Sequence, residues 1–122
     1  MYLNIESFRT YCLSKAGTTE SFPFDENTLV FKVMNKMFAL TNLNSEIFSI
    51  NLKCEPTYAI DLREENENIT AGYHMNKKHW NTIIVDEAIS TKLIISLIDH
   101  SYDLVVKGLK KADKEILKTW GR

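Results

Sequence analysis

The hydrophobic period of this chain changes from helical to alternating after the first predicted helix, and that change constrains the fold more than any other feature of the sequence. Residues 4–16 place Ile5, Phe8 and Cys12 on one stripe at the spacing of an α-helix. From residue 21 to residue 53, apolar side chains instead alternate with polar ones, which is typical of strands that bury one face. A helix followed by several short strands predicts an α+β fold.

Four short strands are predicted in the alternating region. They are rich in aromatic and β-branched residues, and the segments DENT, NK and LNSE between them favour turns. The predicted strands are 21–24, 29–34, 37–42 and 47–53.

A two-residue loop of Asn35 and Lys36 would join the second and third strands into a hairpin. The register that follows pairs Met34 with Met37, Val33 with Phe38, Lys32 with Ala39, and Phe31 with Leu40. Because side chains alternate between the faces of a strand, this register also predicts which residues share a face.

The predicted apolar face continues onto the fourth strand and consists of Phe31, Val33, Phe38, Leu40, Phe48, Ile50 and Leu52. The opposite face is more polar and consists of Lys32, Ala39, Thr41, Ser49, Asn51 and Lys53. One covered and one open face are typical of antiparallel sheets. The pattern therefore predicts two layers, an antiparallel sheet backed by helices on one face.

Three helices are predicted around these strands. Asn4 is the expected N-cap of the first, and Gly17 lies where a left-handed C-cap residue would end it. Pro56 suits the first turn of a second helix at 56–66. Ser90 is the expected N-cap of a long last helix.

The region between the second and last helices is less regular. The segment ENENITAG is predicted to be a loop, and the short β-like pieces YHM and WNTIIV then flank the turn NKKH. The expected order is therefore helix, four strands, helix, one or two short strands, and long helix.

Length and composition indicate one domain over residues 1–122. No run of about 18 apolar residues is present, so no membrane span is expected. The N-terminus lacks a basic region followed by an uninterrupted apolar core, so it does not predict a signal peptide, and a cytoplasmic location is expected.

The motifs of common active sites are missing from the sequence. There is no GxGxxG, Walker A, HExxH or GxSxG pattern. His74 and His79 lie across a predicted turn without further local ligands, and Cys12 and Cys54 lack metal-binding spacing. His100 is expected to be a partly buried hydrogen-bonding side chain. We therefore expect no catalytic residues, no metal site and no cofactor.

The segment from Asn76 to Asn81 differs from the rest of the chain in its chemistry. Lysines 77 and 78 could bind phosphates, asparagines can both donate and accept hydrogen bonds, and Trp80 offers a plane for stacking on a base. The alternative is that Trp80, together with Tyr73, folds back as a core anchor. Two adjacent lysines are costly to bury, so Lys77 and Lys78 are expected to point outward.

Three segments of the chain resemble the MmcQ/YjbR family of small bacterial proteins. They are GYHMNKKHWNTI, LIISLIDHSYDLVVKGLKK and VFKVMNKMFAL. The resemblance implies a CyaY-like or secretion chaperone-like α+β fold, and a DNA-binding role in which two turns act as wings. One wing would consist of Asn76, Lys77, Lys78, His79 and Trp80, and the other of the hairpin with Lys32 and Lys36.

Two functions of different classes remain open at this point. One is a non-catalytic DNA-binding module, which needs locally concentrated positive charge because the formal net charge of the whole chain is −1. The other is a protein-interaction or adaptor module, as a homodimer or with a partner, that uses the open face of the sheet. That face would present Met34, Met37, Ala39, Ser49 and Asn51. An enzyme would need a deep pocket lined by His74, His100 and Tyr102.

Overall fold

Six strands and four helices are present in the computed structural model, which describes residues 3–72 and 75–120. Their order matches the predicted order, with an additional helix at the end. The elements are α1 Ile5–Leu13, β1 Thr18–Ser21, β2 Thr28–Val33, β3 Lys36–Asn42, β4 Ser49–Lys53, α2 Pro56–Glu65, β5 Ile69–Ala71, β6 Trp80–Ile84, α3 Thr91–Lys107 and α4 Lys111–Trp120.

The strands form one sheet in the order β1-β2-β3-β4-β6-β5, and all neighbouring strands are antiparallel. Buried apolar side chains of α1, α2 and α3 pack with those of one sheet face in the main core. The predicted fold class, an α+β structure with an antiparallel sheet backed by helices, is confirmed.

Helix starts follow the predicted caps. The Asn4 side chain accepts a hydrogen bond of 2.8 Å from the backbone N–H of Ser7, and Ser90 Oγ accepts one of 3.0 Å from Leu93. These bonds satisfy amide groups that the first turn of a helix leaves without partners. The first helix ends earlier than predicted, with Ser14 rather than Gly17 as its C-cap.

The predicted hairpin register is wrong by one residue. The turn consists of Met34 and Asn35, whose φ angles are 49° and 68°, and Val33 pairs with Lys36. Positive φ at both central residues is the geometry of a two-residue turn that matches the twist of its strands. Met34 does not reach the open face, because its side chain packs against the main core.

A β-bulge in the middle of β3 changes the faces again. The pairing shifts between Phe31 and Lys32, so that Phe38 and Ala39 both face the helices. Beyond the bulge the alternation is reversed, and Leu40 lies on the open face instead of the predicted apolar face. The predictions for Ala39 and Thr41 are wrong for the same reason, because both are fully buried on the helix side.

Ser101 of α3 compensates for the hydrogen bonds that the bulge removes. Its Oγ–H donates to the carbonyl oxygen of Phe38 at 2.5 Å, and its Oγ accepts from the backbone N–H of Lys53 at 2.9 Å. The neighbouring His100 accepts a hydrogen bond of 3.1 Å from the backbone N–H of Glu55 through Nε2. Two adjacent residues of α3 thus bind the backbone at the end of β4 and at the start of α2.

Other predicted elements are shifted or incomplete. The first strand lies at Thr18–Ser21 rather than at 21–24, and the predicted loop ENENITAG contains β5. The piece YHM falls largely on residues 73 and 74, which lie outside the described residues. The predicted long last helix ends at Lys107, and α4 begins after a break at Gly108.

Gly17 provides the contact surface for α4. A Cβ atom at this position would lie 2.6 Å from Leu117 Cδ1 and 3.1 Å from Trp120 Cε3, and its φ of +71° also favours glycine. The residue predicted to end α1 therefore makes room for the last helix, which packs at the start of β1.

The strand directions divide the connecting segments between two ends of the sheet. At the turn end lie segments 14–17, 34–35, 54–55 and 75–79, with Gly72 and the α3–α4 break beside them. At the loop end lie segments 22–27, 43–48, 66–68 and 85–90. The side chains at these two ends differ in charge, as described below.

We predict that Ser101→Ala lowers the free energy of unfolding by about 1–3 kcal/mol, because it leaves a buried N–H and a buried carbonyl without partners. Urea denaturation followed by circular dichroism measures this change. Ser96→Ala is a matched control on the same helix, because Ser96 is exposed, and it should change stability by less than about 0.5 kcal/mol. Equal effects of the two substitutions would contradict the role of Ser101.

Glu55 provides a pH-dependent cap for α2. Its carboxylate accepts hydrogen bonds from the amides of Thr57 and Tyr58, which holds the pKa of Glu55 below its ordinary value. A lowered pKa in the folded state gives stability that is present at neutral pH and is lost as the pH falls through that pKa. Glu55→Gln should therefore be less stable than the unchanged protein at pH 7.

The stability difference between the two proteins should be smaller in acid, below the lowered pKa of Glu55, than at pH 7, because the carboxylate is then protonated in both folded and unfolded chains. Urea denaturation at the two pH values tests this, with Glu64→Gln on the exposed side of the same helix as a control. A difference that stays constant with pH would show that the charge of Glu55 is not responsible.

Candidate nucleic-acid interface

The turn at 76–79 is held rigidly by its own backbone and by its neighbours. The Asn76 side chain accepts from the N–H of Lys78 at 2.9 Å, and the Asn76 carbonyl accepts from Trp80 at 2.9 Å. The N–H of Cys54 donates to the carbonyl of His79 at 2.7 Å. The turn is thereby fixed to the end of β4, and the Asn76 carboxamide oxygen is occupied in shaping it.

Two exposed lysines project from this turn. Lys77 and Lys78 are both exposed, as predicted, and neither amine has a described acidic partner. The carbonyl of Lys77 accepts a hydrogen bond of 3.3 Å from Arg63 Nη1, which brings a third cation beside the turn. His79 is only partly exposed, and its backbone N–H and carbonyl form hydrogen bonds that hold the turn in place.

Trp80 folds back onto the sheet instead of offering a free stacking plane. It is only 7% exposed and forms a small apolar cluster on the open face with Val30 and Leu40, covered by Met37 and Met75. Gly72 allows this arrangement, because a Cβ there would lie 2.9 Å from the Cβ of Trp80. Trp80 therefore has the geometry of the alternative prediction, an anchor that folds back onto the protein.

Around this cluster the open face of the described strands is polar and carries cations but no carboxylate. The register places Lys32 and Lys53 on this face, because Lys32 pairs with Met37 and Lys53 pairs with Trp80. The sequence pattern placed Lys53 on this face without assigning it to a site. The remaining outward positions are mostly threonine, serine and asparagine.

Lys36 points to the other side of the sheet. It pairs with the buried Val33 and lines a cleft of about 740 Å³ with Lys110, Asp113 and Trp120. The structure thus separates the two predicted wings by face, although both turns lie at the turn end. Lys32 lies on the same face as the Trp80 cluster, and Lys36 does not.

Charge is segregated along the strand direction. The connecting segments at the turn end contain Lys15, Lys77 and Lys78, and Glu55 is the carboxylate among them, with Lys110 and Asp113 beside these segments. The four segments at the loop end contain carboxylates and no lysine or arginine: Asp25, Glu26, Glu46, Glu67, Asp86 and Glu87. A net charge near zero therefore conceals one positive and one negative end.

Some lysines at the turn end are neutralised. Lys15 forms an ion pair with Asp99, which also accepts a hydrogen bond of 2.5 Å from Tyr11 Oη. Burial opposes the charge of Lys15, but its bond to Asp99 outweighs that effect and raises the pKa of Lys15. This network joins α1 to α3, so Lys15 is a structural residue and not part of the candidate surface.

Possible metal ligands are dispersed in the part of the chain that the structure describes. No three His, Cys, Asp or Glu side chains in the described ranges lie close enough to hold a metal ion. His74, one of the residues proposed to line an enzymatic pocket, lies outside the described residues. No helix in the described part of the chain is long and apolar enough to cross a membrane.

The two cysteines are buried thiols. Burial raises the pKa of Cys12 to about 12, and burial together with the nearby Glu55 raises that of Cys54 to about 11. We predict that neither thiol reacts readily with a thiol-specific chromogenic disulfide at pH 8 in the folded protein, because the thiolate is the reactive form. Both should react after denaturation, and fast reaction of a thiol in the native protein would contradict this.

Comparison with known proteins shows clear relatives. The family model named YjbR matches residues 13–104. YbdF of Escherichia coli is 39% identical over 94 residues, which are 77% of each chain, and YyaQ of Bacillus subtilis is 37% identical over 117 residues, which are 84% of this chain and 98% of that protein. Both are described as uncharacterized proteins.

A solved structure from Deinococcus radiodurans has the same fold. Protein DR2400 superposes with a TM-score of 0.88 at 37% sequence identity, covering 94% of this chain and 88% of that chain. A protein from Pseudomonas syringae superposes with a TM-score of 0.71 at 29% identity, covering 84% and 98% of the two chains.

Proposed function

The chain belongs to the YjbR family, and we propose that it is a non-catalytic module that binds duplex DNA with its turn end. The observation that supports this proposal is the charge segregation, because phosphate binding depends on local cations rather than on net charge. The proposed contacts are made by Lys77, Lys78, Lys32 and Lys53. We also propose that the protein is located in the cytoplasm.

The spacing of these lysines suits the DNA backbone. Lys32 on β2 and Lys53 on β4 are two strands apart, which corresponds to about 10 Å at the usual distance between strands. The turn with Lys77 and Lys78 follows on the next strand of the sheet, β6. Such a row reaches phosphates on both sides of a groove about 12 Å wide.

Two asparagines near these lysines that could read base edges are already occupied within the protein. The Asn76 carboxamide oxygen is bound within its own turn, and Asn51 accepts a hydrogen bond of 2.6 Å from Thr82 on the neighbouring strand. Trp80 is covered and cannot stack on a base. We therefore propose binding that is dominated by phosphate contacts and has little sequence preference.

Fluorescence anisotropy with a labelled duplex, measured between about 20 and 200 mM NaCl, tests this proposal. Binding should weaken steeply with salt, and the double substitution Lys77→Ala and Lys78→Ala should reduce the log–log slope by about two. The double substitution Lys32→Ala and Lys53→Ala should have a similar effect, because both lysines face the same ligand.

Lys92 provides the matched control. It is exposed and lies in the first turn of α3, at the loop end, so Lys92→Ala removes one positive charge at the opposite end, compared with two in each double substitution. The proposal predicts that Lys92→Ala leaves the salt slope unchanged. Undetectable binding at low salt, or equal effects of substitutions at both ends, would overturn it.

A further inference from the structure

Exposed large apolar side chains are concentrated at the loop end, away from the proposed DNA surface. Five of them lie in or beside the loops of this end, and they are Phe22 at 46% exposure, Phe24 at 63%, Leu43 at 40%, Ile47 at 59% and Ile84 at 37%. Isolated apolar residues are common on protein surfaces, but a group at one place indicates an interaction site.

Hydrogen bonds between the loops hold the segments that carry these residues next to one another. The N–H of Leu43 donates to the carbonyl of Asn27 at 2.7 Å, which joins the segment 43–48 to the segment 22–27. The N–H of Val85 donates to the carbonyl of Phe48 at 2.9 Å, which joins the segment 43–48 to the segment after β6. The surface spans β1 to β6, about 19 Å at the usual strand spacing.

Carboxylates surround the apolar side chains. The loops contribute the six carboxylates named above and no lysine or arginine, and Lys92 is the nearest cation along the chain, in the first turn of α3. The Asp25 carboxylate accepts hydrogen bonds from the amides of Asn27 and Thr28, which lowers the pKa of Asp25 and keeps it ionised at neutral pH.

We propose that the loop end is a docking surface for a partner protein segment in which lysine or arginine residues surround aliphatic side chains. Charge complementarity selects this partner, because an acidic rim attracts cations and repels nucleic acid and anionic lipid. The apolar centre then supplies most of the affinity. This inference does not depend on DNA binding, which concerns the opposite end.

A second copy of the chain is the less favourable occupant. It would have to present its own basic turn end to the loop end. Such a head-to-tail contact leaves a free end on each added copy and forms open chains instead of a closed dimer. A short segment of a different protein can bind this surface without forming open chains.

A peptide of about six residues in which lysine and leucine alternate is a suitable probe, because an extended chain of this length spans about 20 Å. Titration of the ¹⁵N-labelled protein with this peptide should shift amide resonances of the segments 22–27 and 43–48. Peptides that alternate lysine with serine, or glutamate with leucine, should bind at least about tenfold more weakly.

Variants of the protein test whether the apolar centre is responsible. The double substitution Phe24→Ser and Ile47→Ser changes two exposed side chains, so the fold should be kept, and binding of the lysine–leucine peptide should fall at least about tenfold. Ile60→Ser on α2 is the matched control, because Ile60 is 50% exposed and lies elsewhere, and it should leave binding unchanged.

Three results of the peptide experiments would overturn the proposal. They are the absence of peptide binding, equal binding of the lysine–serine peptide, and resonance shifts centred on the turn end. Concentration-dependent association of the protein alone that is lost in the Phe24→Ser and Ile47→Ser variant would instead identify a second copy as the occupant and would also overturn it. DNA binding should be unaffected by this variant, so the two proposals succeed or fail separately.

Discussion

The insertion of Ser101 into the sheet is the interaction on which the rest of the structure depends. Its hydroxyl binds the carbonyl of Phe38 and the amide of Lys53, so that one side chain of α3 joins two strands at the bulge. The bulge turns both Phe38 and Ala39 toward the helices and sends Leu40 to the open face. Without this bond the bulge would leave buried polar groups unpaired, which is costly in a core.

The bulge also shapes the surface that we propose to be functional. Leu40 and Val30 form the apolar base on which Trp80 rests, and the covered indole fixes the start of β6 and the turn with Lys77 and Lys78. Cations at this end and carboxylates at the other are kept apart by the strand direction. The protein therefore has two oppositely charged ends, and a group of exposed apolar side chains lies at the negative end.

Sequence patterns predicted most of the fold, including its class, the element order and the caps Asn4 and Ser90, because these depend on local periodicity and on side chains near the backbone they bind. The hairpin register was wrong by one residue, and the bulge was not predicted. The bulge depends on whether a distant serine satisfies the backbone, and no local pattern reports that. β5 was missed because three residues give too short a pattern to recognise.

The candidate site shows the same division. The sequence of the segment 76–80 by itself determined that two lysines of a turn point outward, because adjacent charges are costly to bury. Only the tertiary structure decided that Trp80 is covered and that Lys36 faces away from Lys32. The same holds for the two charged ends, since the acidic segments are interspersed with the others along the chain and are gathered only when antiparallel strands bring every second connection to the same end.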